Sequence, residues 1–165
     1  MILRHFIYYL KLDESLKTAI KDILANNLFV PTDRVDIVYQ IILKGMNRKI
    51  REAIYDLISQ FEYGCKMFLR NKNIYPVTFI NKRRKELDLN HILSSKAKNK
   101  FKDEISSIIG EDLILSIEFV SVRKLSGNLR NRNYHTGYGN PDEFSIYEAA
   151  LFYYLVEAYC LACEG

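Results

Sequence analysis

Apolar residues recur at steps of three or four over residues 34–70, at Val35, Val38, Tyr39, Ile42, Met46, Ile50, Ile54, Leu57, Ile58, Phe61, Cys65 and Phe68. That period places them on one face of a helix. Thr32 or Asp33, just after Pro31, is the expected N-cap, because a short side-chain oxygen there can accept from a free amide of the first turn. Gly45 and Asn47 either break the run into two helices or bend it. A preceding helix is read over residues 13–26, with Leu16, Ile20, Ile23 and Leu24 turned inward. The opening run MILRHFIYYL is read as the first packed segment: it is too short to span a membrane, and KLDE follows it.

The pattern changes over residues 71–95. Asparagines, Pro76 and the basic cluster Lys82-Arg83-Arg84-Lys85 predict a connecting loop with a short helix inside. Ala97, Phe101, Ile105 and Ile108 then predict a helix over 96–109, stopped by Gly110. In EDLILSIEFVSVRKLSG the apolar residues alternate as in a strand. Acidic residues nevertheless open the stretch, and Arg123, Lys124 and Gly127 close it, as suits a helix dipole. Helix is the reading taken. The last segment carries a capping box, Ser145 and Glu148, behind Asn140-Pro141. From Ile146 to Cys163 it is apolar almost all round. It is then either the central helix of a bundle, or one face packs on its own core and the other on a second chain.

These elements make an all-α single domain over residues 1–165, a bundle of about five or six helices. At 165 residues and 48% hydrophobic content the chain can bury a core and is not compositionally disordered. A net charge of +4 permits a nucleic-acid partner without requiring one. Three cysteines without framework spacing point to a reducing cytoplasm. Cys160-x-x-Cys163 lacks the further ligands of a zinc site and is read as small core residues. His5 and His91 have no nearby partner in sequence and carry no assigned function. Neither a P-loop nor H-E-x-x-H nor G-x-S-x-G occurs. No metal or cofactor and no membrane association is expected.

One stretch concentrates strong hydrogen-bonding groups, NLRNRNYHTG at residues 128–137. The Arg130 guanidinium matches two phosphate oxygens. His135 can take and give a proton near neutral pH. Asn131 can hold either in place. Such groups suit RNA cleavage, since RNA supplies its own 2′-hydroxyl nucleophile and the protein need only place the phosphate, stabilise its charge and move protons. One histidine cannot serve both the attacking and the leaving oxygen, and a two-fold dimer would bring a second. Arg132 could touch a flanking phosphate, and Lys82, Arg83, Arg84 and Lys85 could bind RNA backbone.

Arg130-Asn131-x3-His135 resembles the R-x4–6-H signature of the HEPN superfamily, in which a polar residue, often Asn, follows the Arg. GNLRNRNYHTG looks most like members from abortive-infection and other bacterial defence systems. The resemblance implies a helical bundle that dimerises, with a core over about residues 33–165 and residues 1–30 as a helical extension. It further implies metal-independent endoribonuclease activity at a composite site, leaving a 2′,3′-cyclic phosphate and a 5′-hydroxyl. Arg130 would bind phosphate, His135 would be catalytic and Asn131 supporting. RNA, a second copy and an antitoxin or sensor protein are the implied partners. Members paired with a nucleotidyltransferase antitoxin usually continue H-x-Y, whereas here Thr136 and Gly137 follow His135 and Tyr138 comes one place late. The alternative expectation is a non-catalytic helical module that binds RNA or a protein.

Overall fold

A computed structural model describes residues 13–94, 99–121 and 141–163, the side chains of 141–145 excepted. The described chain is helical apart from one hairpin: α1 (Glu14–Ala25), a 3-10 turn (Thr32–Arg34), α2 (Val35–Met46), α3 (Ile50–Asn71), β1 (Val77–Ile80), β2 (Arg83–Glu86), a single-turn α4 (Leu89–Ile92), α5 (Lys100–Ile109), α6 (Glu111–Ser121) and α7 (Pro141–Leu161). This agrees with the all-α reading. The helix choice for 111–121 holds.

The periodic set divides as α2 and α3, antiparallel neighbours, and its members are buried or half-buried. Thr32 and Asp33 are not the cap expected of them. They lie in the 3-10 turn, and α2 starts at Val35 with no side-chain cap. Gly45 does not break the run either. It is buried inside α2, and a Cβ there would lie 2.2 Å from the Phe152 ring. The run does break into two helices at Asn47, the C-cap of α2, with Arg48 next at a φ of +67°. The Arg48 amide donates to Gly45 O and that of Lys49 to Lys44 O, which closes the helix end in a Schellman motif without glycine. Asn73, at φ +59°, ends α3 in the same way, with Ile74 N donating to Leu69 O.

Helix α5 starts at Lys100, later than expected, because Asn99 caps it. Asn99 Oδ1 accepts from the amides of Phe101 and Lys102, while Nδ2 donates to the carbonyls of His91, Ile92 and Ser94. One side chain thus ties the end of α4 to the start of α5. Gly110, at φ +85°, stops α5 as expected. Helix α7 starts at Pro141, not at the Ser145 capping box. Proline suits a first helical position, where its missing amide has no intrahelical partner to lose.

The core lies among α2, α3, α6 and α7. It is centred on Ile42, Ile54, Leu57, Phe61, Ile114, Ile117, Leu151, Phe152, Leu155 and Tyr159, each at most 2% exposed. Residues 27–30 clamp the far end of α7. Leu28 N donates to Ala162 O, Asn27 Nδ2 to Tyr159 O, and Phe29 packs edge-on to Phe61 and Phe68. No helix among the described residues is long and apolar enough to cross a membrane.

Candidate nucleic-acid interface

The basic cluster does not lie in a loop. Asn81 and Lys82 have φ values of +49° and +63° and form the two-residue turn of an antiparallel hairpin, as a type I′ turn requires. Arg83, Arg84 and Lys85 form most of β2. The register pairs Val77 with Glu86, Thr78 with Lys85, Phe79 with Arg84 and Ile80 with Arg83. Side chains alternate across a strand. One face therefore carries Val77, Phe79, Arg84 and Glu86, and the other Thr78, Ile80, Arg83 and Lys85.

A two-stranded hairpin is marginal alone, and this one is held at its base. Glu86 pairs with Arg70 and approaches Lys66 at 3.9 Å, both on α3. Leu87 N donates to Pro76 O at 2.9 Å, and Leu89 beyond it is fully buried. The outer part stands in solvent. Phe79 is 71% exposed and Ile80 51%, with Tyr75 nearby at 52%. Lys82, Arg83, Arg84 and Lys85 are all exposed, and none has an ion-pair partner among the described residues. Ile80, Asn81, Arg83 and Lys85 line a shallow open groove. Leaving Phe79 in water forgoes most of the ~1.5–3 kcal/mol that burying a phenylalanine returns.

Sequence reading found the four cations but missed their apolar neighbours. The available signal was alternation in PVTFI beside a polar run, which is faint when neither strand exceeds four residues.

Helix α7 presents the second notable surface. Leu151, Phe152, Leu155, Ala158, Tyr159 and Ala162 face the core. Ile146 (66% exposed), Ala150, Tyr153, Glu157, Cys160 and Leu161 (51% exposed) fall on the opposite side, in a stripe about 22 Å long at 1.5 Å per residue. The helix is thus not wrapped on all sides by the described bundle. One face packs on the core, and the other is largely apolar, with Ile146 and Leu161 exposed, Ala150 and Tyr153 half-buried and Glu157 among them. Cys160 is accordingly not the core residue expected: it is exposed on that stripe, while Cys163 is half-buried. Partial burial, with Cys163 and Glu157 nearby, pushes the Cys160 thiol up.

Glu148 also has a different role from the one expected. Instead of capping α7 it is buried and accepts from Arg51 Nε of α3, at 3.2 and 3.1 Å to its two oxygens. His91 has the partner that sequence reading denied it. Its Nδ1 lies 2.6 Å from the Asp88 carboxylate that caps α4. Among the described residues no group of three or more His, Cys, Asp or Glu is arranged to hold a metal ion.

The structure therefore brings Lys82, Arg83, Arg84 and Lys85 together on one projecting hairpin. The motif of residues 128–137, with Arg130, Asn131, Arg132 and His135, lies outside the described residues. No protein-family model, curated protein or solved structure matches the chain.

Proposed function

We propose that this protein is a metal-independent endoribonuclease of HEPN type, acting as a homodimer in the cytoplasm as a toxin or defence effector. The observation that carries the reading is the Arg130-Asn131-x3-His135 motif, followed at once by a helix whose outer face is largely apolar and leaves Ile146 and Leu161 exposed. The exposed apolar residues of the α7 stripe are taken as the two-fold contact in this reading. Pairing through it would bring two copies of the chain, and so two copies of the motif, into one assembly. The cationic hairpin supplies a second surface suited to a polyanion.

In this reading the RNA 2′-oxygen attacks phosphorus and the bond to the 5′-oxygen breaks. One His135 imidazole accepts the 2′-hydroxyl proton, and the imidazolium of the other copy gives a proton to the departing 5′-oxygen. The two Arg130 guanidiniums offset the charge that builds on the non-bridging oxygens. Asn131 orients them. The products are a 2′,3′-cyclic phosphate and a 5′-hydroxyl. An antitoxin or sensor protein restrains the activity.

The test is incubation of the purified protein with RNA in EDTA. Cleavage is expected, with loss of at least about a hundredfold in Arg130→Ala and in His135→Ala at unchanged melting temperature. Cleavage that requires a divalent ion, or that survives both changes, refutes the assignment. An intact, folded chain that binds RNA or a protein without cutting is the outcome belonging to the non-catalytic module.

A further inference from the structure

We propose that the β1–β2 hairpin is a grip for unpaired RNA, in which Phe79 stacks on a base while Lys82, Arg83, Arg84 and Lys85 hold the flanking phosphates. The inference rests on the RNA reading above and adds to it the substrate class and a recognition residue. Three observations converge on it. Phe79 is the most exposed large apolar side chain among the described residues. Four cations of the same hairpin have no ion-pair partner among those residues: Arg84 on the Phe79 face, Lys82 at the turn, and Arg83 and Lys85 on the other face. The base of the hairpin is tied to α3 through Glu86, which leaves the tip standing out from the helices.

Geometry favours single strands over duplex. Phe79 and Arg84 oppose each other in the ladder, with Cβ atoms about 5 Å apart. A base lying on the Phe79 ring therefore brings its own phosphate within reach of the Arg84 fork. The strand continues past Lys82 at the tip to the other face, where Arg83 and Lys85 flank the shallow groove beside Ile80. A base face is the surface that can cover an aromatic ring while its backbone meets cations, and a duplex hides its base faces inside the stack. An acidic protein would satisfy the cations but offers the ring no such match.

The experiment measures equilibrium binding of fluorescein-labelled oligouridine, about ten nucleotides long, to the full-length His135→Ala protein in EDTA, so that cleavage does not intervene. Phe79→Leu, which keeps an apolar side chain at an exposed position, is expected to weaken binding about tenfold, the scale of one base–aromatic stack. Phe79→Tyr should restore it. Arg84→Gln should reduce the salt slope by about 0.7, as loss of one phosphate contact in a single strand requires. Equal binding of an abasic oligomer of the same length, tighter binding of duplex RNA, unchanged binding by Phe79→Leu, or equal displacement by polyglutamate would each overturn the proposal. Hairpin-dependent binding without any cleavage by the parent protein would leave it standing and remove the nuclease assignment alone. Cleavage with Phe79-independent binding would do the reverse.

Discussion

Replacing Gly64 by alanine sets two effects of opposite sign against each other. In the interior of α3, alanine is favoured over glycine by about 1 kcal/mol of helix propensity. Were Gly64 merely a helical residue facing a loose neighbour, the change would stabilise the protein. The backbone of residues 27–30 instead passes directly over it. A Cβ at position 64 would lie 1.9 Å from the Phe29 carbonyl oxygen and 2.9 Å from its carbon. A tolerable contact needs a separation of about 1 Å more, and an interior packed to crystal density has no space in which to make it. Phe29 is 1% exposed, with ring centroids 5.9 Å from Phe61 and 5.2 Å from Phe68, so its backbone cannot retreat without disturbing both. Overpacking of this kind costs about 1–3 kcal/mol, and a backbone obstacle belongs at the upper end. Subtracting the propensity gain leaves a net loss of about 2 kcal/mol. For a chain of this size that is a fall in melting temperature of about 4–8 °C, read by calorimetry or by urea titration. Amide exchange at Leu28 and Ala162, where the same segment clamps α7, should quicken in parallel. A melting temperature that rises in Gly64→Ala refutes the close approach and the clamp with it.

Two further outcomes test other parts of the account. Ile146→Asp with Leu161→Asp places charge on the exposed α7 stripe without touching the core, so sedimentation should show association of the proposed dimer weakened by at least about a hundredfold, with the fold intact; an unchanged dimer moves the interface elsewhere. The melting temperature should fall as pH rises above 9.0, because burial pushes the Cys65 thiol and the Tyr159 phenol up from ordinary values of 9.0 and 10.0. There the folded chain keeps protons that the unfolded chain releases, so stability present below pH 9.0 drains away as pH rises; a flat profile to pH 11 contradicts that burial.

The helices were readable in sequence where burial imposes a period. Val38, Ile42, Ile54, Leu57, Phe61 and Phe68 each sit where their spacing puts them, and Gly110 stops α5 because a positive φ favours glycine. The hairpin was not readable, for three physical reasons. Its turn is Asn-Lys where glycine is the usual second residue. Neither strand exceeds four residues. Arg83-Arg84-Lys85-Glu86 buries nothing and so shows no alternation. The start of α7 was misjudged because two local signals competed: Pro141 at the first helical position prevailed, and Glu148 found a better partner in Arg51, far away in sequence. Of the candidate site, the cations were visible as composition. The aromatic beside them gained meaning only when the register set Phe79 against Arg84.

The claim at the centre of the account is that each cleavage centre needs groups from two copies of the chain. Wild-type protein should be mixed and re-equilibrated with an Arg130→Ala/His135→Ala double variant at constant total concentration, and RNA cleavage followed in EDTA. Composite sites require activity to fall as the square of the wild-type fraction, while activity that falls in direct proportion to that fraction would place a complete site within each chain and contradict the claim.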